Sequence, residues 1–379
     1  MPPRIVIGVG IAGYPVSAAG TTWCFFQWVL GFRSAGWDVW MVEDIPGDKC
    51  VGWDGAPAAF EQSANRAHWE RIVREFGLEG RATLLVDGKS EEKKSLLDFA
   101  SGADLFLNIS GHFKNKAVLR APKRRIYLDL DPAFTQIWAA VYGVDMNFGG
   151  HELFFTVGGL LNRPDCRAPK LDREWFVTLP PVNLEPWSPG NIAPGDAFTT
   201  MTHWYGYPPA EYQGQWYGNK SEEFEKITDL PRQTRAQLEI ATDLSPGQDE
   251  YEAFTRAGWR LVKAAPLNEP WQRYRDYLAG SKGEFCVAKN GYVRSRCGWF
   301  SDRSVCYLSL GRPVILQDTG WTEMLPAGEG LLPFQDMASA ARALETVLSD
   351  EERHRRAARK IAEEYLDARK VVERMVGRI

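Results

Sequence analysis

Several things are scarce in this chain of 379 residues, and each scarcity excludes something. No apolar run approaches the roughly 20 residues that a helix needs to cross a bilayer, so no membrane span is expected. The opening MPPRIVIGVG goes straight into a strand-like run, without a charged leader, a long apolar segment or a cleavage site. A cytoplasmic location is the expectation. Basic runs are missing: 45 Lys and Arg stand against 49 Asp and Glu, a formal net charge of −4. That balance shows no electrostatic footprint for nucleic acid, and none is expected as a partner. The 6 cysteines form no CxxC and have no clustered histidine. They read as reduced thiols rather than a disulfide frame or a zinc site, and neither a metal nor a cofactor is expected. There is no internal repeat and no low-complexity tract.

What is abundant is tryptophan, 15 in all. Trp53, Trp187, Trp204, Trp216, Trp299 and Trp321 sit in loop-like contexts. Packing accounts for most indoles, but their flat apolar faces also form platforms for sugars and aromatic ligands.

Along the chain, strand-like runs alternate with helical ones. RIVIGVG (4–10) precedes a glycine-rich loop and a helix over about 23–35. WDVWMVED (37–44), ATLLV (82–86), ADLFLNIS (103–110) and RIYLDLD (125–131) follow, with helices between them. Such alternation predicts a doubly wound, mostly parallel α/β sheet. After irregular HELFFTV and EWFVTLPPV comes a stretch rich in proline, with Pro186, Pro189 and Pro194. A second alternation runs from AFTTMTHW (197–204) to PVILQ (313–317), and a helical tail follows from about 336. The expected division is 1–185 and 196–355 for two domains, 186–195 for the linker, and 356–379 for a terminal helix crossing back to the first domain.

Gly8, Gly10 and Gly13 have the GxGxxG spacing of a dinucleotide fingerprint. That motif requires a helix to start within the glycine turn. Here Pro15 intervenes and the first convincing helical run starts near Thr22, so a loop lining a cleft is the better reading and an NAD enzyme the lesser one.

The richest stretch is 281–332. Ser301 or Asp302 caps a helix through Leu310, whose first turn holds Arg303 and Ser304. Gly311 and Pro313 end it, PVILQD forms a buried strand, and Thr319, Gly320 and Trp321 turn the chain at its carboxyl end. Helix N-termini and strand ends of this kind bind phosphate and sugar. Arg303 is unfavourable beside a helix N-terminus unless an anion is present. His203 ends the first strand of the second domain. In the first domain Asn108, Ser110, Gly111 and His112 end one strand, and Asp129 and Asp131 another. Asp131 or His112 is the candidate base, with His151 as a third. An Asx-turn and helix cap is the structural alternative for the DLDP segment.

Two Rossmann-like domains, a proline-rich link and a helical tail resemble the GT-B glycosyltransferases. GRPV at 311–314 followed by DTGW at 318–321 is similar to that family's second-domain signature, and so is the whole segment SDRSVCYLSLGRPVILQDTGW. The resemblance implies a fold of two domains facing a cleft, and metal-independent transfer of a sugar from a nucleotide-diphosphate donor to a small-molecule or glycan acceptor. A natural-product acceptor suits the many aromatics. It also implies a diphosphate role for Lys220 and a hydroxyl-binding role for Glu323. One feature departs from the family: the positions of its paired glutamates are held by Trp299 and Cys306. That departure leaves room for a protein that binds nucleotide sugars without transfer, and the shared fold leaves room for an epimerase.

Overall fold

The structure is a computed structural model that describes residues 1–16 and 19–379. It contains two parallel sheets. The first has strands β1 (Arg4–Gly8), β2 (Asp38–Ile45), β3 (Ala82–Val86), β4 (Leu105–Ile109), β5 (Arg124–Asp129), β6 (Leu153–Thr156) and β7 (Phe176–Val177), in the order β3-β2-β1-β4-β5-β6-β7. The second begins with β8 (Ala197–Thr202). A small antiparallel hairpin follows, made of β9 (Ala210–Tyr212) and β10 (Gln215–Tyr217). Then come β11 (Gln237–Thr242), β12 (Arg260–Lys263), β13 (Gly283–Cys286), β14 (Val314–Gln317) and β15 (Leu331–Phe334), giving the order β12-β11-β8-β13-β14-β15. Both sheets are doubly wound, as the alternation of elements predicts. In each, the chain reverses its direction of travel beside the first strand, between β1 and β4 and between β8 and β13. Ligands bind in the crevice at such a reversal.

Side chains alternate between the faces of each strand. Ile5 and Ile7 join one core and Val6 another; Val314 and Leu316 join one and Ile315 another. The largest apolar cluster runs without a break from the first sheet to the second, so the domains share a core. Backbone pairing adds to this. Gly159 N–H donates to Gly298 O at 3.3 Å and Leu160 N–H to Cys297 O at 2.9 Å. Gly298 is in the left-handed region at φ 74°, and a Cβ there would meet the Leu160 nitrogen at 2.7 Å.

The tail divides. Helix Met337–Ser349 packs on β15 within the second domain. Helix Glu351–Ile361 leads through a wide turn at Ala362–Leu366 to helix Ala368–Val376, which lies on helix Ala19–Ser34 of the first domain. Gly31 permits the approach: a Cβ there would come within 3.2 Å of Ala368 Cβ and Val372 Cγ2. Among the described residues, no helix is long and apolar enough to cross a membrane.

Candidate functional site

The two strand reversals face each other across a cavity of about 750 Å³. From the first domain come the loop after β1, helix Ala19–Ser34 through Cys24 and Phe25, His112 after β4 and Asp131 after β5. From the second come His203 after β8, Lys220, Lys289 after β13, and Asp302 and Arg303 from helix Asp302–Ser309. A second cavity of about 1090 Å³ opens beside it in the first domain and shares Tyr14, Ser110, His112 and Trp138 with it.

The glycine loop is not a pyrophosphate cradle. Ile11, Ala12 and Gly13 all donate their N–H groups to the Glu43 carboxylate, each at 2.7 Å. Glu43 stands near the carboxyl end of β2, and burial pushes it up to about 7 against the pull of those three bonds. Three convergent N–H groups form an anion nest, and here the chain fills it with its own carboxylate. Gly10 and Gly13 do line the adjoining cavity.

Asp129 and Asp131 divide their duties in a way the DLDP motif left open. Asp129 is fully buried and accepts bonds from Thr135 Oγ1 (2.7 Å), Gln136 Nε2 (3.1 Å), Thr156 Oγ1 (3.0 Å) and the Asp131 N–H (3.0 Å). It ties the start of helix Phe134–Ala140 to β6, and burial raises it to about 6. Asp131 reaches across the cleft and accepts from Lys289 Nζ (3.0 Å), Tyr207 Oη (2.8 Å) and Tyr292 Oη. Burial would raise its pKa, but Lys289 and the tyrosines outweigh that and hold it below the usual carboxylate range. A carboxylate with three donors and a depressed pKa is a poor base, so the base role considered for Asp131 gives way to an interdomain clasp. The His112 side chain has no hydrogen bond among the described residues and stands edge-on to Phe25 and Tyr14. Close packing lowers its pKa, so the imidazole is neutral near pH 7 and able to accept a proton. His151, the third base candidate, instead bonds Asn108 Nδ2 (3.2 Å) and the Phe148 carbonyl (3.1 Å) behind the strand ends.

Arg303 lines the cavity with most of its donors already in use. Its Nε donates to Glu284 (2.7 Å), Nη1 to Met201 O (2.5 Å) and Nη2 to Thr200 Oγ1 (3.1 Å). Glu284, buried on β13, is its charge partner, rather than Asp302 or a surface carboxylate. Ser301 caps the helix by accepting from the Arg303 and Ser304 N–H groups at 3.2 and 3.3 Å, and Ser304 Oγ donates to Glu284 at 2.5 Å. Both serines lie behind the cavity wall and support Arg303. Lys220 is different. Among the described residues nothing accepts from its ammonium, and burial, then the charge of Arg303, lowers its pKa to about 8. His203 stands at the mouth, exposed, 3.6 Å from Asp243.

The turn after β14 lies outside the cavity. Thr319 donates to the Trp299 carbonyl at 2.6 Å, Trp321 is fully buried with its indole N–H on Gln317 O (3.2 Å), and Gly320 abuts Leu160 of the first domain. Glu323 pairs with Arg296 and, at 3.5 Å, with Arg163 on the outer surface. None of the four lines the cavity: Gly320 and Glu323 meet the first domain, while Thr319 and Trp321 bond within the second. The loop 158–163 covers this strand end, and no sequence signal in one domain reports what the other lays over it.

Four cavity residues carry chemistry that the sequence reading passed over: Lys289, Tyr207, Tyr292 and Asp302. Lys289 follows the FCVA strand, a position at a strand's carboxyl end that was open to the same argument used for Asp131. Asp302 is read there only as a cap, yet it is Ser301 that caps, leaving Asp302 facing the cavity. Trp299 stacks on Tyr292 at 4.6 Å, and Cys306 is buried against Gln27 Nε2 (3.7 Å), so neither position of the expected glutamate pair holds a carboxylate.

Solved structures share this architecture along its whole length. HepE from Anabaena, solved with UDP and glucose, matches with a TM-score of 0.58 over 100% of both chains at 12% identity. The chain has the GT-B fold. A DNA α-glucosyltransferase, solved with UDP-glucose and DNA containing an abasic site, matches this GT-B chain with a TM-score of 0.58, covering 100% of this chain and 98% of that one at 12% identity. AviGT4, a glycosyltransferase of avilamycin A biosynthesis, matches at 0.51 and 13% identity, over 100% and 97%. No family model matches the sequence, and no curated protein sequence does either. The DNA-bound neighbour overturns the exclusion of nucleic acid. Net charge describes the whole surface rather than any one cleft, so a total of −4 does not decide what a cleft admits.

Proposed function

We propose that this GT-B protein transfers a sugar from a nucleotide-diphosphate donor to a hydroxyl group of a small-molecule acceptor, without a metal. One observation carries the reading: a half-buried lysine, Lys220, with no acceptor among the described residues, faces a cavity formed where the two strand reversals meet. Partial loss of water disfavours a cation that has no partner, and an anionic ligand relieves that cost. Lys220 and the charge-balanced Arg303 would hold the diphosphate and stabilise it as it leaves. Asp302 is placed to accept from donor hydroxyl groups, taking up work that the missing glutamates leave undone. In the transfer the anomeric C–O bond to the diphosphate breaks and a bond to the acceptor oxygen forms. The acceptor proton passes to neutral His112 on the first-domain side. The solved neighbours that hold UDP or UDP-glucose support the donor class. The apolar and aromatic wall of Tyr14, Phe25, Trp138 and Met146 supports a small acceptor with an aromatic or lipophilic body.

The test combines titration of UDP and dTDP sugars with product analysis. His112→Ala is expected to bind donor like the parent while losing about 10²-fold or more in kcat, the usual scale of a lost general base. Asp131→Asn, which keeps an acceptor for the tyrosines, is expected to lose less. Binding without turnover against a panel of acceptors, or equal losses in the two variants, would remove the reading.

A further inference from the structure

A smaller pocket of about 360 Å³ lies on the side of the second domain away from the cleft. Helix Glu351–Ile361, the end of helix Asp302–Ser309 and Pro189 of the linker enclose it. Its wall holds Arg312, Arg355, Arg356, Arg359 and Lys360. Two carboxylates share that wall, and both are already in use: Glu352 pairs with Arg356, and Glu363 pairs with Arg359 at 2.7 Å. Arg359 also donates to the Ser309 carbonyl at 2.6 Å, closing that helix. Arg355 and Lys360 have no such duty; among the described residues neither has an ion pair. Arg312 is only 5% exposed. It gives Nε to Ala279 O (2.8 Å) and Nη2 to Ile192 O (2.8 Å), while its Nη1 has no protein acceptor among the described residues.

Three uncompensated cations therefore share one concavity, in a chain whose net charge is −4. A solvated helix face alternates its charges and lets them pair. This wall instead crowds like charges: burial, then the neighbouring Arg355, lowers Arg312 to about 10. Guanidinium forks match the oxygens of phosphate, and in such a setting an anion removes the repulsion and takes the free Nη1 of Arg312.

We propose that this pocket binds a phosphate or diphosphate group, carried by a soluble metabolite or by a phospholipid headgroup. The site is separate from the cleft and does not depend on what the cleft does. Calorimetric titration of the full chain with inorganic pyrophosphate at low salt tests it, with Arg355→Glu/Lys360→Glu as the variant. Both residues are at the surface, so the fold is retained. The charge reversal is expected to weaken pyrophosphate binding by at least about tenfold. The same change of charge elsewhere, Lys94→Glu/Lys116→Glu, is expected to leave it unaltered. Co-sedimentation with phosphatidylcholine vesicles, with and without phosphatidic acid, separates the sources. Capture by acidic vesicles that the double variant abolishes assigns a headgroup; pyrophosphate binding without capture assigns a soluble ligand. A loss confined to Lys220→Ala would put the pyrophosphate in the cleft and overturn this proposal while leaving the cleft reading intact. Equal weakening by both double variants, or no binding of either probe, also overturns it.

Discussion

In the proposed function, Lys220 links donor binding to a single proton. Its ammonium has no partner among the described residues, and its pKa of about 8 leaves it charged at neutral pH but not much above. A diphosphate placed against it raises that pKa again, so donor binding and protonation are linked. Below about pH 8, UDP affinity should be flat. Above it the protonated fraction falls about tenfold per pH unit, and the apparent Kd should rise in step, about 1.4 kcal/mol per unit, until the pKa of the complex is reached. Lys220→Arg stays charged throughout and should flatten the profile. Lys220→Ala should bind weakly at neutral pH and converge with the parent near pH 10. Stability moves the other way. The folded pKa, about 8, lies below the ordinary 10.5, so the unfolded chain binds more protons between those values. The unliganded protein therefore gains stability from this group as pH rises through that window. Calorimetric titration with UDP in steps from pH 6.5 to 10 reads the first effect, and denaturant unfolding reads the second. A flat affinity profile in the parent, or a break that persists in Lys220→Arg, would refute the assignment.

Arg303→Ala should act on the fold before it acts on ligand. It strands the Glu284 carboxylate, whose side chain is 0% exposed, and breaking a buried pair costs about 3–5 kcal/mol. Denaturant unfolding should show that loss, with partial recovery in Arg303→Met/Glu284→Gln; a variant as stable as the parent would count against the pairing. Gly31→Val should separate the terminal helix from the first domain, since even a Cβ there lies 3.2 Å from Ala368. Overpacking of this kind costs about 1–3 kcal/mol. Faster hydrogen exchange across 368–376 is the readout, and unchanged protection would show that the contact adjusts.

The sheet was legible in the sequence because its signal is local. Each apolar run from RIVIG to PVILQ owes its pattern to its own strand, and the alternation with helices fixes the parallel winding. The hairpin at 210–217 and strand β15 escaped notice because their runs are short and one contains a proline, Pro333. Of the candidate residues, His112, at a strand end, and Lys220, suggested by the resemblance, do line the cavity. Thr319, Gly320, Trp321 and Glu323 had the right local form, but loop 158–163 meets that turn at Gly320 and Glu323, a contact made across the domain boundary. Arg303 was correctly placed at the cavity, yet its partner Glu284 lies one strand away, and sequence spacing carries no trace of that pairing. The clasp on Asp131 escaped for the same reason: its donors come from 207, 289 and 292, all in the other domain.

Glu43 makes the two halves of the molecule unequal. Both domains follow the same winding plan, and each therefore inherits a place where backbone amides can gather round a negative charge. In the first domain that place is taken by a tethered carboxyl group, at 2.7 Å from three amides. A diffusing phosphate would have to displace a group that never leaves. The lysines and arginine that face the interdomain cavity, Lys220, Lys289 and Arg303, all come from the second domain, so its positive wall lies on one side.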